Sequence, residues 1–160
     1  MTSPWSGTSA WVNGSAIGAT DVNDYINNNI DHLKSPPLSI VVTAIPTPAS
    51  TTATTAVPVT AGISATVTTY GAPVQAYFKM RTLNSGGGFN LFNLDIDGTA
   101  YTTYVSGLAR SNNTYDGHYH VWITGLASGS HVFIPTWRVS VGTGYTQASG
   151  EPINFWVREG

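Results

Sequence analysis

His118 and His120 stand two residues apart in a stretch, His118 to Thr124, that reads as a β-strand. At that spacing both imidazoles leave the same face of the strand. A His-x-His pair supplies two nitrogen ligands to Zn, Ni or Fe, and Asp116 stands close enough in sequence to add an oxygen. No third protein ligand falls in evident range, so two histidines on a Tyr/His-rich face is the simpler reading. No metal site and no cofactor are assigned. Asp95, Asp97 and Gly98 form Asp-x-Asp-Gly. Calcium needs several oxygens from one loop, and the remaining donors of such a loop are missing. Asp97-Gly98 is instead the signature of a type I′ hairpin turn. Nucleophilic catalysis needs an activated hydroxyl, a base and an orienting acid, and no serine sits in a recognisable nucleophile turn. Glycosidic chemistry needs two carboxylates across a cleft. Asp95, Asp97, Asp116, Glu151 and Glu159 fall mostly at turns or at the end of the sequence. The expectation is a protein that is not an enzyme.

Binding chemistry is better represented. Tyr101, Tyr104, Tyr115, Tyr119, Trp122 and Tyr145 lie at or near loops, with Asn112 and Asn113 among them. Aromatic and amide groups suit glycan recognition, since sugars present apolar ring faces and hydroxyls, and aromatic enrichment also marks protein interfaces. Packing in the core or between subunits would claim the same residues. The candidate receptor-facing set is Asn112, Asn113, Tyr115, His118, Tyr119 and His120.

Composition narrows the classes further. The chain has 160 residues, 41% of them hydrophobic and only 9% charged, with a net charge of −2 and no cysteine. That length and apolar fraction support one core. An average domain is roughly 25% charged, so this surface is covered by Thr, Ser, Asn and Gly instead. Such surfaces are common in β-rich extracellular and viral proteins. No basic stripe is present to drive nucleic-acid binding. Without cysteines there are no disulfides or thiolate metal sites, which fits folding in a reducing cytosol. Met1-Thr2-Ser3-Pro4-Trp5 lacks the cationic and apolar segments of a secretory signal, and no stretch is long enough to cross a bilayer as a helix.

The elements that must position these residues divide in two. Residues 1–19 are rich in Gly and Ser, with Trp5 and Trp11 as isolated anchors. Thr20 then reads as an N-cap, with Asp21 and Asp24 in the first turn, where the helix dipole favours negative charge. Val22, Ile26, Ile30 and Leu33 recur at steps of four, four and three, with Tyr25 beside them. Ser35-Pro36-Pro37 stops that helix. Short and interrupted by Asn27-Asn28-Asn29, it must bury its apolar stripe against sister copies, a partner or the body of the protein. From Leu38 on, the signals are all strand. In Val74 to Thr82, Val74, Ala76, Phe78 and Met80 face one way while Gln75, Tyr77, Lys79 and Arg81 face the other. Phe89 to Asp97 and Thr99 to Tyr104 flank the Asp97-Gly98 turn. Ser130 to Val141, Tyr145 to Ala148 and Ile153 to Arg158 follow, the last a strand tied into a sheet rather than a frayed tail. Eight or nine short strands separated by Gly-rich turns predict an antiparallel β-sandwich or jelly-roll head over 38–160, preceded by an arm and helix over 1–37.

Two stretches carry a family likeness. Trp11 through Asn29, with His32-Leu33-Lys34 and Pro36-Pro37, resembles the N-terminal region of tailed-phage virion proteins. Gly125-Leu126, Gly129-Ser130-His131, Trp137 and the ending Phe155-Trp156-Val157-Arg158-Glu159 are similar to the C-terminal heads of phage tail-fibre or minor tail proteins. The resemblance implies a trimer with a compact β-head, sometimes of tumour-necrosis-factor-like shape, and brings no catalytic residues. It makes the expected protein a homotrimeric, surface-exposed tail fibre or receptor-binding protein of the virion, made in the host cytoplasm. Trp5, Trp11, Val22, Tyr25, Ile26, Ile30 and Leu33 would serve attachment and trimerisation. The expected partners are sister copies, a tail or major capsid protein, and a host surface glycan or protein, without nucleic acid or membrane insertion. A capsid decoration (cement) or head-fibre protein is the alternative, in which the arm clamps capsid subunits. A cellular carbohydrate-binding module is a third reading, which leaves the N-terminal helix without a purpose.

Overall fold

A computed structural model describes residues 38–43, 49–60, 62–102, 107–112, 115–146 and 152–160. The expected arm and helix, with Trp5, Trp11, Val22, Tyr25, Ile26, Ile30 and Leu33, lie outside the described residues, as do Asn113 and Tyr104.

Every regular element among the described residues is a strand. They run β1 (Leu38–Thr43), β2 (Ser50–Thr51), β3 (Val57–Pro58), β4 (Ala65–Thr69), β5 (Val74–Asn84) and β6 (Phe89–Ile96). Then come β7 (Thr99–Ala100), β8 (Ala109–Asn112), β9 (Tyr115–Ile123), β10 (Gly129–Val139), β11 (Gly144–Thr146) and β12 (Ile153–Glu159). The pairings are all antiparallel and build two sheets. In the first sheet β9 runs along one side of β5, from Val74↔Ile123 to Thr82↔Tyr115. The other side of β5 is shared by β12, opposite Val74 to Lys79, and β11, opposite Thr82 to Asn84. β1 extends the sheet beyond β12, and β2 beyond β11. In the second sheet β10 pairs with β6 on one side and with β4 and β3 on the other. The outer edge of β6 carries β8 and β7.

Alternation decides which side chains are buried. Val74, Ala76, Phe78 and Met80 of β5 and Ile153, Phe155 and Val157 of β12 join Phe92 and Leu94 of β6 and Phe133 and Trp137 of β10 in one buried cluster. Phe78 meets Phe92 at 5.6 Å between ring centroids, so rings from both sheets touch at its centre. The Asp97-Gly98 turn forms as expected, with φ of 53° and 82°, the two positive values that a type I′ turn demands. The strand expected to run to Tyr104 is shorter, since β7 ends at Ala100. β8 was not foreseen at all: Ala109-Arg110-Ser111-Asn112 has little apolar alternation and is a strand because β6 pairs with it.

The chain passes between the sheets from β5 to β6 and again from β10 to β11, and Asn84 ties these two crossings together. It is 4% exposed. Its Oδ1 accepts the N–H groups of Gly86 (3.0 Å) and Gly88 (3.2 Å), and its Nδ2 donates to the Val141 carbonyl (3.0 Å). The backbones of Gly86 and Gly142 approach too closely to leave room for a side chain on either. At the end of β12, Glu159 is fully buried, and its Oε1 accepts the N–H groups of Tyr70 (2.7 Å) and Ala72 (2.8 Å). The last strand is therefore bound to the turn before β5 as well as to its two sheet neighbours.

Candidate binding face

The outward side of the first sheet is built from the other half of each alternation. Cross-strand register arranges it in rows. Trp122 lies beside Gln75 and then Arg158. His120 lies beside Tyr77 and then Trp156. His118 lies beside Lys79 and then Asn154, and Asp116 lies beside Arg81. The middle row is a wall of rings. Tyr77 and Trp156 stack at 5.6 Å with 19° between their planes. His120 sets its edge to both, at 6.3 Å from Tyr77 and 5.6 Å from Trp156. Arg158 places its guanidinium 5.6 Å from the Trp156 ring and donates to the Gln75 side-chain oxygen at 3.1 Å. That covers Gln75, which is 6% exposed despite facing outward. Lys79 and Asp116 form an ion pair at 3.0 Å. Trp122 closes one end, 55% exposed, and its carbonyl accepts the Tyr101 hydroxyl at 3.1 Å. Offset-stacked and edge-on rings gain about 0.5–1.5 kcal/mol per pair beyond burial, so the wall is held in place before any partner arrives.

His118 and His120 are exposed on this face as the strand reading requires. Asp116 turns to Lys79 rather than to either histidine, and among the described residues no three His, Cys, Asp or Glu side chains gather as a metal site would need. Tyr119 corrects the receptor-facing set. It is 3% exposed, stacks on Phe78 at 5.3 Å and donates its hydroxyl to the Asn93 carbonyl at 3.2 Å. Burial pushes its phenol well above the usual range. The reason is that residues 118–120 are consecutive in one strand, so Tyr119 points to the side opposite His118 and His120. Of Tyr115 only the backbone is described. Asn112 is exposed, away from this face, in a cleft of about 280 Å³ lined also by Asn84, Ser85, Gly87 and Gly88. Tyr145 is half-buried on β11. Tyr77, Trp156 and Arg158 were not singled out as site residues. The alternation of β5 did mark Tyr77 as outward, but nothing local said that Trp156 would be its neighbour.

A second polar constellation lies at the β6–β7 turn. The Nδ1 atom of His131 sits 2.6 Å from the Asp97 carboxylate, and its Nε2 sits 3.0 Å from the Ala127 carbonyl. Both ring nitrogens face acceptors, so the doubly protonated ring satisfies both. The Asp97 hydrogen bond, followed by the Ala127 carbonyl, holds the His131 pKa above its usual value. Asp97 is held low, first by the Val132 N–H that it accepts at 2.8 Å and then by His131. The Asp95 carboxylate accepts the Gly98 N–H at 2.7 Å. The Asp-x-Asp-Gly oxygens are thus engaged in shaping the hairpin and fastening it to β10. Both nitrogens of the Asp–His pair are committed, which leaves none to activate a hydroxyl.

No protein-family model and no curated protein sequence matches this chain.

Proposed function

We propose that this chain is a non-enzymatic structural protein on the surface of a tailed-phage particle, a homotrimeric tail fibre or receptor-binding protein. In this reading residues 1–37 attach it to a tail or capsid protein and start trimerisation. Residues 38–160 form a β-sandwich head of jelly-roll or tumour-necrosis-factor-like type, displayed to the host. The observation that carries the adhesive role is the Tyr77–His120–Trp156 wall with Trp122 beside it, on the outer side of the first sheet. Sheet surfaces that meet only water are covered by small polar and charged side chains, whereas Trp, Tyr and Arg concentrate where proteins bind. Several copies on one particle turn weak individual contacts into firm attachment through effective concentration. The low charge of the chain and the likeness of its two ends to virion proteins support the phage setting.

The copy number of the chain in purified particles tests this reading. A few dozen copies or fewer, located on the tail, are expected. Hundreds of copies on the shell would replace it with the capsid-decoration role, and absence from particles would remove the phage setting altogether.

A further inference from the structure

Half of the cations of this protein share one sheet face. Of its six Lys and Arg residues, Lys79, Arg81 and Arg158 all fall on the outer side of the first sheet, while the chain as a whole carries −2. Asp116 is the one carboxylate among the outward residues of β5, β9 and β12, since Glu159 turns inward and is fully buried. The outer side of the second sheet carries two cations, Arg110 and Arg138 on either side of Leu91, with Asp95 as its carboxylate, and its Thr66, Thr68, Val132 and Ile134 carry no charge. A cationic face that also presents stacked and exposed rings has two matching demands on a ligand: negative charge, and flat apolar surfaces bearing C–H groups for the negative faces of the rings. From Gln75, the register partner of Arg158, to Arg81 the strand spans about 20 Å at ~3.4 Å per residue. A single small anion cannot bridge that span, and an extended polymer can.

We infer that this face binds a carboxylated polysaccharide, a polymer whose sugar units are uronic acids. A uronate carries a pyranose ring and a carboxylate in the same unit. The ring faces Trp122 and the Tyr77–Trp156 wall, and the carboxylates meet Arg158, Lys79 and Arg81, guanidinium forks being suited to bidentate carboxylate pairing. Polyphosphate and glycerol-phosphate chains carry the charge without a ring to stack, and neutral glucans carry the ring without the charge. The inference rests on the proposal that this face is the recognition surface, and adds its ligand class.

The test is calorimetric titration of the full-length protein with polygalacturonate, with dextran and polyphosphate as comparison polymers. Binding to polygalacturonate that weakens as salt is raised is expected, because exposed charges are screened within about 10 Å at 0.1 M. Trp122→Ala and Arg158→Ala are each expected to weaken it by about tenfold or more, as truncating a buried-on-binding Trp or Arg usually does. Arg138→Ala, on the opposite sheet, is expected to stay within about twofold of wild type. Trp122 and Arg158 are exposed, so both variants keep the core, and an unchanged unfolding midpoint confirms it. Equal affinity for polyphosphate would overturn the inference in favour of charge alone, and equal affinity for dextran in favour of stacking alone. No binding to any of the three also overturns it. Particle copy number is measured independently, so a protein shown to sit on the tail but indifferent to uronates loses the ligand and keeps the role.

Discussion

Replacing Asn84 with alanine should destabilise the protein by about 3 kcal/mol. Asn84 is nearly inaccessible to solvent and makes three well-formed hydrogen bonds, two accepted from Gly86 and Gly88 and one donated to Val141. A fourth contact, to Asn90 at 3.4 Å, is long and adds little. Each net hydrogen bond is worth about 0.5–1.5 kcal/mol, and a buried N–H left without an acceptor loses about 1–3 kcal/mol. The Gly88 N–H falls in the second class because its bond is buried, whereas the Gly86 bond is only partly so and that N–H is nearer to water. A loss of this size is a large share of the 5–15 kcal/mol that holds a typical domain together. Urea unfolding followed by tryptophan fluorescence reads it, since Trp137 is 1% exposed and reports core opening. The midpoint should fall with the slope unchanged. Asn84→Asp keeps the acceptor for both glycines but sets a carboxylate oxygen against the Val141 carbonyl in a buried site, so it should cost at least as much as alanine. An alanine variant within about 0.5 kcal/mol of wild type would refute the idea that one amide holds the two crossings together.

Glu159→Ala should cost about 3 kcal/mol, since two backbone N–H groups lose their shared acceptor, while Glu159→Gln keeps an acceptor and should lose less than half of that by the same urea assay. Gly117→Ala would drive a methyl group into the Phe92 ring and should cost about 1–3 kcal/mol by overpacking, read as a lower thermal midpoint. The Asp97–His131 pair gives stability a pH dependence. The His131 contribution is fully present below the ordinary value of 6.5 and is lost as pH rises through its higher folded-state value. The Asp97 contribution is fully present above 3.8 and is lost as pH falls through its lower folded-state value. Urea midpoints measured against pH should therefore show His131→Gln removing the alkaline decline and Asp97→Asn the acid one.

Much of the fold was legible because its signals are local. Asp97-Gly98 announces its turn, since few residue pairs accept two positive φ values. The alternation of Val74 to Thr82 shows which side chains of β5 point inward, because a strand facing one core has no other choice. What could not be read depends on which strands become neighbours. Tyr77, His120 and Trp156 come from three strands distant in sequence, and only the pairing of β9 and β12 on either side of β5 makes them a wall. β8 lacks apolar alternation and exists as a strand through β6. Tyr119 was misplaced for a simpler reason. Grouping three consecutive residues of one strand on a single face ignored the period of two, which sends His118 and His120 outward and Tyr119 into the core.

Hydroxyl-radical footprinting of intact particles bears most directly on whether the outer side of the first sheet is displayed to the host. If it is, Trp122 and His120 will oxidise on the particle as fast as in the isolated full-length protein, with Trp122 among the most reactive side chains because it is so exposed. Protection of Trp122 and His120 on the particle, with Val132 on the opposite sheet still reactive, would mean that this face is turned against the virion and that the adhesive reading is wrong.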